Sequence, residues 1–164
     1  MNPVIKYFNG ERAESFLFLA LGIVGVVISS YLFSLKVSSY WKGFAIPFIM
    51  VSVLEIIVGI SLIYRSPKDI IRVEDYIKNE QIKIKIDEKP RMEKVMKNFV
   101  VYRYVEIALI FIGAILYFAF ANSDFWRGLG LGLLIQASIV LTLDYFAERR
   151  GFIYLEYLNS ISHE

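Results

Sequence analysis

Four long apolar runs divide the chain. Phe16 to Leu35 contains no charge, and at about 1.5 Å of rise per helical residue it matches the roughly 30 Å hydrocarbon core of a bilayer. A second run, Phe44 to Tyr64, is broken by charge only at Glu55. A third, Tyr104 to Ala121, carries Glu106 near its start, and a fourth, Gly128 to Phe146, carries Asp144 near its end. Buried helices of soluble proteins are usually shorter and keep a polar face, which the first run lacks. The pattern predicts an all-α integral membrane protein with four transmembrane helices arranged as two hairpins, 16–64 and 104–146. Between them lies a cytoplasmic amphipathic segment, 65–103, and outside them a short N-terminal segment, 1–15, and an interfacial tail, 147–164.

Orientation follows from the basic residues, which resist translocation. The terminal segments and the central segment hold fifteen Lys and Arg, whereas the two hairpin turns hold only Lys36, Lys42 and Arg127. Both termini and the central segment are therefore expected on the cytoplasmic side of an inner (plasma) membrane. Trp41 and Trp126, beside Tyr40 and Phe125, then anchor the outer interface. The N-terminus lacks a basic start, a short apolar core and a small-residue cleavage site, so the first run is read as part of the mature protein. The turns themselves read Tyr40-Trp41-Lys42-Gly43 and Phe125-Trp126-Arg127-Gly128. They suggest a duplicated hairpin, a parallel 2+2 repeat, although two unrelated outer turns could need the same residues.

In the central segment, Ser66-Pro67-Lys68-Asp69 has the form of a fresh helix start: a serine cap, proline in the first turn and an early acid. Ile82-Lys83-Ile84-Lys85-Ile86 alternates with the period of a strand. Five residues need a partner strand, which makes Ile82, Ile84 and Ile86 candidates for docking another protein or another copy of the chain. Met92, Val95, Met96 and Phe99 mark an apolar helical face. The blander expectation for this segment is a pair of interfacial helices lying on the inner leaflet. The tail from Phe152 to Leu158 is expected to form a further aromatic interfacial turn or short helix.

Polar groups inside the apolar runs raise functional hypotheses by default. Glu55 and Gln136 fall near the middles of the second and fourth runs, which traverse in the same direction, so they can meet at one depth, with a protonated Glu55 donating to the amide oxygen. Arg65, Arg103, Glu106, Asp144 and Arg149 belong to a charge layer at the cytoplasmic ends, where Arg103 and Glu106, three apart, share a face and can pair. Gly22, Gly25, Ser29 and Gly113 allow close helix approach. Gly128, Gly130 and Gly132 alternate and do not all share one face, which reads as a loose or bent beginning to the fourth helix.

Composition agrees with a membrane class: 57% of the 164 residues are hydrophobic and 21% charged, with a net charge of +2. No basic tail or patch calls for nucleic acid. The chain has no cysteine, which removes disulfides and thiol chemistry, and the single histidine, His163, stands alone at the end of the tail. Nucleophile elbows, paired histidines, nucleotide fingerprints and metal-spaced acids are all absent. The sequence thus predicts no enzyme, no cofactor and no metal. It points to a small membrane interaction protein whose cytoplasmic segment docks a partner, immunity against a membrane-directed toxin being one role that would suit it. The alternative is a subunit of a homo-oligomeric ion or proton channel using Glu55 and Gln136.

Overall fold

The computed structural model describes residues 3–35 and 38–161; His163 and Lys36 lie outside the described residues. The chain is all-helical. Its elements are α1 (Pro3–Ser34), α2 (Ser39–Asn79), a single turn α3 (Gln81–Lys83), a π segment (Ile84–Glu88), α4 (Lys89–Ala119) and α5 (Asp124–Ile161). Four of its helical stretches are long and apolar enough to cross a membrane, as a multi-pass membrane protein requires.

The helices are longer than their apolar runs. α2 has 41 residues, about 60 Å at 1.5 Å per residue, twice the thickness of a hydrocarbon core. Its continuity corrects the fresh start expected at Ser66. Pro67 lies inside the helix, where it forfeits one backbone hydrogen bond, and the Ser66 hydroxyl instead shares its one proton between Glu11 and the Leu62 carbonyl, each at 2.8 Å. The expected interfacial helices are likewise replaced: α2 and α4 continue past their apolar runs into a helical head at the end that carries the chain termini. The tail is no separate turn, because α5 runs unbroken to Ile161 and buries Tyr154 and Leu158.

The strand expected over Ile82 to Ile86 does not form. Without a partner strand the backbone satisfies itself helically, through α3 and the π segment, and a helix sends the three isoleucines to different faces. Ile84 is 2% exposed, whereas Ile82 and Ile86 are 64% and 60% exposed, so Ile84 belongs to the core and is not part of a docking edge. The π turn has a reason in the sequence. Ile84, Glu88 and Met92 are all buried at intervals of four, and a wider turn keeps such a series on one face where a 3.6-residue turn would let it drift.

α1 packs along α2, α2 along α5 and α5 along α4, whereas α1 and α4 share no extended packing. Small residues set these approaches. A Cβ at Gly22 would lie 2.7 Å from the Ser52 carbonyl oxygen, one at Gly59 2.8 Å from that of Ser15, and one at Gly130 2.6 Å from that of Gly113. The glycines that open α5 correct the expectation of a loose start. Gly128 and Gly132 press on the Tyr40 and Phe44 carbonyls of α2, while Gly130 turns to α4, so the alternation serves two seams.

Large apolar side chains are exposed over Phe16–Phe33 of α1, Met50–Tyr64 of α2, Val100–Phe120 at and beyond α4, and Trp126–Ile153 of α5. Such a surface is an aggregation hazard in water and is matched by lipid tails. Between Arg65 and Phe99, by contrast, the exposed large apolar residues are Ile71, Ile82 and Ile86 alone. The head instead has a core of its own, of Val4, Tyr7, Phe8, Val73, Ile84, Met92, Tyr154 and Leu158, with Tyr7 stacked on Tyr154 at 4.4 Å between centroids.

Candidate functional site

Within the apolar belt, α2 and α5 bring Glu55 and Gln136 together. The Gln136 amide donates to Glu55 Oε1 at 3.0 Å, both residues are 3% exposed, and Glu55 Oε2 has no partner. The bond thus runs from amide nitrogen to carboxyl oxygen, the reverse of the donation expected. Toward the turns, the α2–α5 seam that holds the pair closes on Gly43, Gly128 and Gly132.

Nearer the head, charged side chains from all four long helices form a layer. Arg65 binds Glu11 at 2.9 Å and Asp69 at 3.2 Å; Arg150 binds Glu14, and Arg103 binds Glu148. The pairing expected between Arg103 and Glu106 gives way to this contact, in which Arg103 reaches across to α5. Glu106 lies instead within hydrogen-bonding reach of Asp144. Arg149 is exposed, and its neighbour Arg150 makes the inward bond. A cavity of about 280 Å³ between the four helices is bordered by Glu14, Arg65, Asn98, Tyr102, Asp144 and Arg150.

At the centre of the head stands Glu88, 1% exposed, with both oxygens saturated. Oε1 accepts from Arg91 Nη2 at 2.6 Å and from the Tyr154 hydroxyl at 3.0 Å. Oε2 accepts from Arg91 Nε at 2.9 Å and from Arg72 Nη2 at 3.1 Å. Arg91 therefore clamps the carboxylate side-on, through the Nε and Nη2 of one guanidinium edge, and its guanidinium lies 5.8 Å from the Phe8 ring centre. Arg72 also binds the buried Asp69 at 2.9 Å, so Glu11, Arg65, Asp69, Arg72, Glu88 and Arg91 form one ladder of alternating charge from the layer into the head. Burial withholds water from the Tyr154 phenol and the Glu88 charge beside it adds to the effect, so its pKa is raised. Tyr7 is raised mainly by burial. Burial opposes the charge on Arg91, but the Glu88 hydrogen bonds and charge outweigh it and raise its pKa.

Sequence reasoning missed this knot. Its only local signals are the spacings Arg65/Asp69/Arg72 and Glu88/Arg91, which ordinary exposed helix pairs share, and a tyrosine on the same helical face as Leu158. Trp41 and Trp126 sit at the turn end, 44% and 42% exposed. Among the described residues no group of three or more His, Asp or Glu converges as a metal centre needs. Comparison with protein-family models, curated proteins and solved structures finds no match to this chain, and its function must be argued from this geometry.

Proposed function

We propose that the protein is a small multi-pass inner-membrane interaction protein, with both termini and the helical head in the cytoplasm, that docks a protein partner on the apex of the head. The orientation rests on fifteen Lys and Arg at the head end and in the tails against three at the turns. The arrangement as two parallel hairpins is supported by the turn motifs, since Gly43 packs on Phe125 and Gly128 on Tyr40. Arg65 and Arg150 follow those glycines at equal spacing, and each holds an acid of α1.

The observation that carries the docking role is the exposure of Ile82 and Ile86 at the apex, outside the apolar belt, at 64% and 60%. Ile86, Tyr76 and Pro90 line a groove edged by Arg72, Arg91 and Lys94 and by Asp87 and Glu88. Arg72 and Arg91 are taken up by Glu88, so Lys94 and Asp87 remain as the charges of the rim. A patch that is apolar in the middle and charged at the rim suits a protein segment with an apolar anchor. The saturated Glu88 knot beneath holds that patch in place before binding, which lowers the ordering cost. Gln136 holds one oxygen of Glu55 inside the α2–α5 seam, and both residues are 3% exposed, which favours a structural part for them over the lining of an ion path between copies.

The test is affinity capture from native membranes with Ile82→Ser and Ile86→Ser combined. Release of the captured chain by these changes and by Lys94→Glu, but not by Lys68→Glu, is the expected result. An unchanged set of partners, with the head still folded, removes the docking reading.

A further inference from the structure

Between α4 and α5, beside the Arg103–Glu148 pair that forms part of its wall, lies a second cavity of about 400 Å³. Its walls are mostly apolar and aromatic, from Phe99, Ile107, Leu141, Tyr145 and Phe146, and Glu106 and Asp144 face into it. These two carboxyls are within hydrogen-bonding reach of each other. Glu106 is 6% exposed, and its Oε2 is buried with no hydrogen-bond partner. The nearest cation, Arg103, is taken up by Glu148, and Arg150 by Glu14. Two adjacent acids in apolar surroundings cannot both stay charged on their own, and a shared proton or a bound cation relieves them.

We propose that this cavity binds a lipophilic organic cation, an ammonium group carried on an apolar body, with the nitrogen between Glu106 and Asp144. The aromatic rings of Phe99, Tyr145 and Phe146 supply faces for the cation, and the volume lies within the roughly 300–1,000 Å³ usual for small-molecule sites. Two carboxyls and the Thr142 hydroxyl cannot replace the hydration shell of a hard metal ion, which takes about six to eight oxygens. Tyr145 and Phe146, 59% and 52% exposed, form a rim on the apolar belt, so an amphiphilic amine already partitioned into the bilayer enters sideways. The site is remote from the Ile82 and Ile86 apex and does not depend on a partner docking there.

The test uses the full chain in lipid nanodiscs, titrated calorimetrically with phenylbutylammonium against empty nanodiscs, with phenylbutanol as the neutral isostere. Saturable binding of the ammonium and none of the alcohol is expected, with affinity falling at least about tenfold in Glu106→Gln and in Asp144→Asn. Equal binding of the alcohol, or unchanged affinity in both variants, overturns the proposal. Since either substitution could disturb the seam, the unaltered protein provides a second measure. The charged groups facing the pair are Arg103 of α4 and Glu148 of α5, and, across the central cavity, Glu14, Arg65 and Arg150. Protons compete for the same two acids, so affinity must weaken as pH falls through their titration. An affinity independent of pH overturns the proposal.

Discussion

Gly43 and Gly128 stand in reciprocal contact: the first packs against the carbonyl of Phe125, the second against the carbonyl of Tyr40. Each glycine closes its own aromatic-aromatic-basic motif and rests on the first residue of the other. The two backbones approach there as closely as a missing Cβ allows, and this contact fixes the α2–α5 seam at the turn end.

Gly43→Ala and Gly128→Ala are accordingly expected to destabilise by about 1–3 kcal/mol each, because backbone cannot yield as a side chain can. Gly10→Ala should cost less, since its Cβ meets only the flexible side chain of Arg150, at 2.7 Å from Cδ. Denaturant unfolding in micelles measures the difference. The double variant should fall short of the sum, as expected for residues sharing one contact.

For the Glu55–Gln136 pair, Gln136→Leu is the harsher change. It leaves both Glu55 oxygens buried without a donor, a loss of about 1–3 kcal/mol, whereas Glu55→Gln keeps a hydrogen bond at about 1 kcal/mol or less. Unfolding equilibria of the two variants decide the order. The reverse order would mean that Glu55 carries its charge for some purpose other than holding Gln136.

Removing Glu88 should loosen the head and leave the belt intact. Glu88→Ala strands Arg91 and Arg72, at a cost of about 2–3 kcal/mol, below that of a wholly buried pair because both guanidinia retain some water. Tyr154→Phe deletes one bond to the carboxylate, about 1–2 kcal/mol. Amide hydrogen exchange is expected to quicken over residues 84–92 and 151–158 in Glu88→Ala, with exchange in the α2–α5 seam unchanged.

Alkali should open the head in the same way. Tyr7 and Tyr154 have folded pKa values above the ordinary phenol value, so above a pH of about 10 the folded state holds more protons than the unfolded one. Stability from these phenols is therefore complete below that pH and is lost as pH rises through the raised values. Tyrosinate absorbance of the eleven tyrosines should show a late fraction that ionises together with loss of head structure. Tyr154→Phe should shrink that fraction.

The sequence by itself determined the four apolar helices, because a run such as Phe16 to Leu35 has no polar face to hide and its length is set by the rise of one residue. It also placed Glu55 and Gln136 at one depth, since depth along a helix is linear in residue number. Rotation about the helix axis is not, and what depended on it only the tertiary structure decided. Whether Ile84 turns inward while Ile82 and Ile86 turn out, whether Arg103 takes Glu106 on its own helix or Glu148 on the next, and whether Gly128 faces α2 while Gly130 faces α4 are set by which helices become neighbours. The same holds for the Glu88 knot. Its carboxylate, its arginines and its tyrosine come from α2, α4, α5 and the π segment, and only their packing makes a buried charge tolerable by surrounding it with four donors.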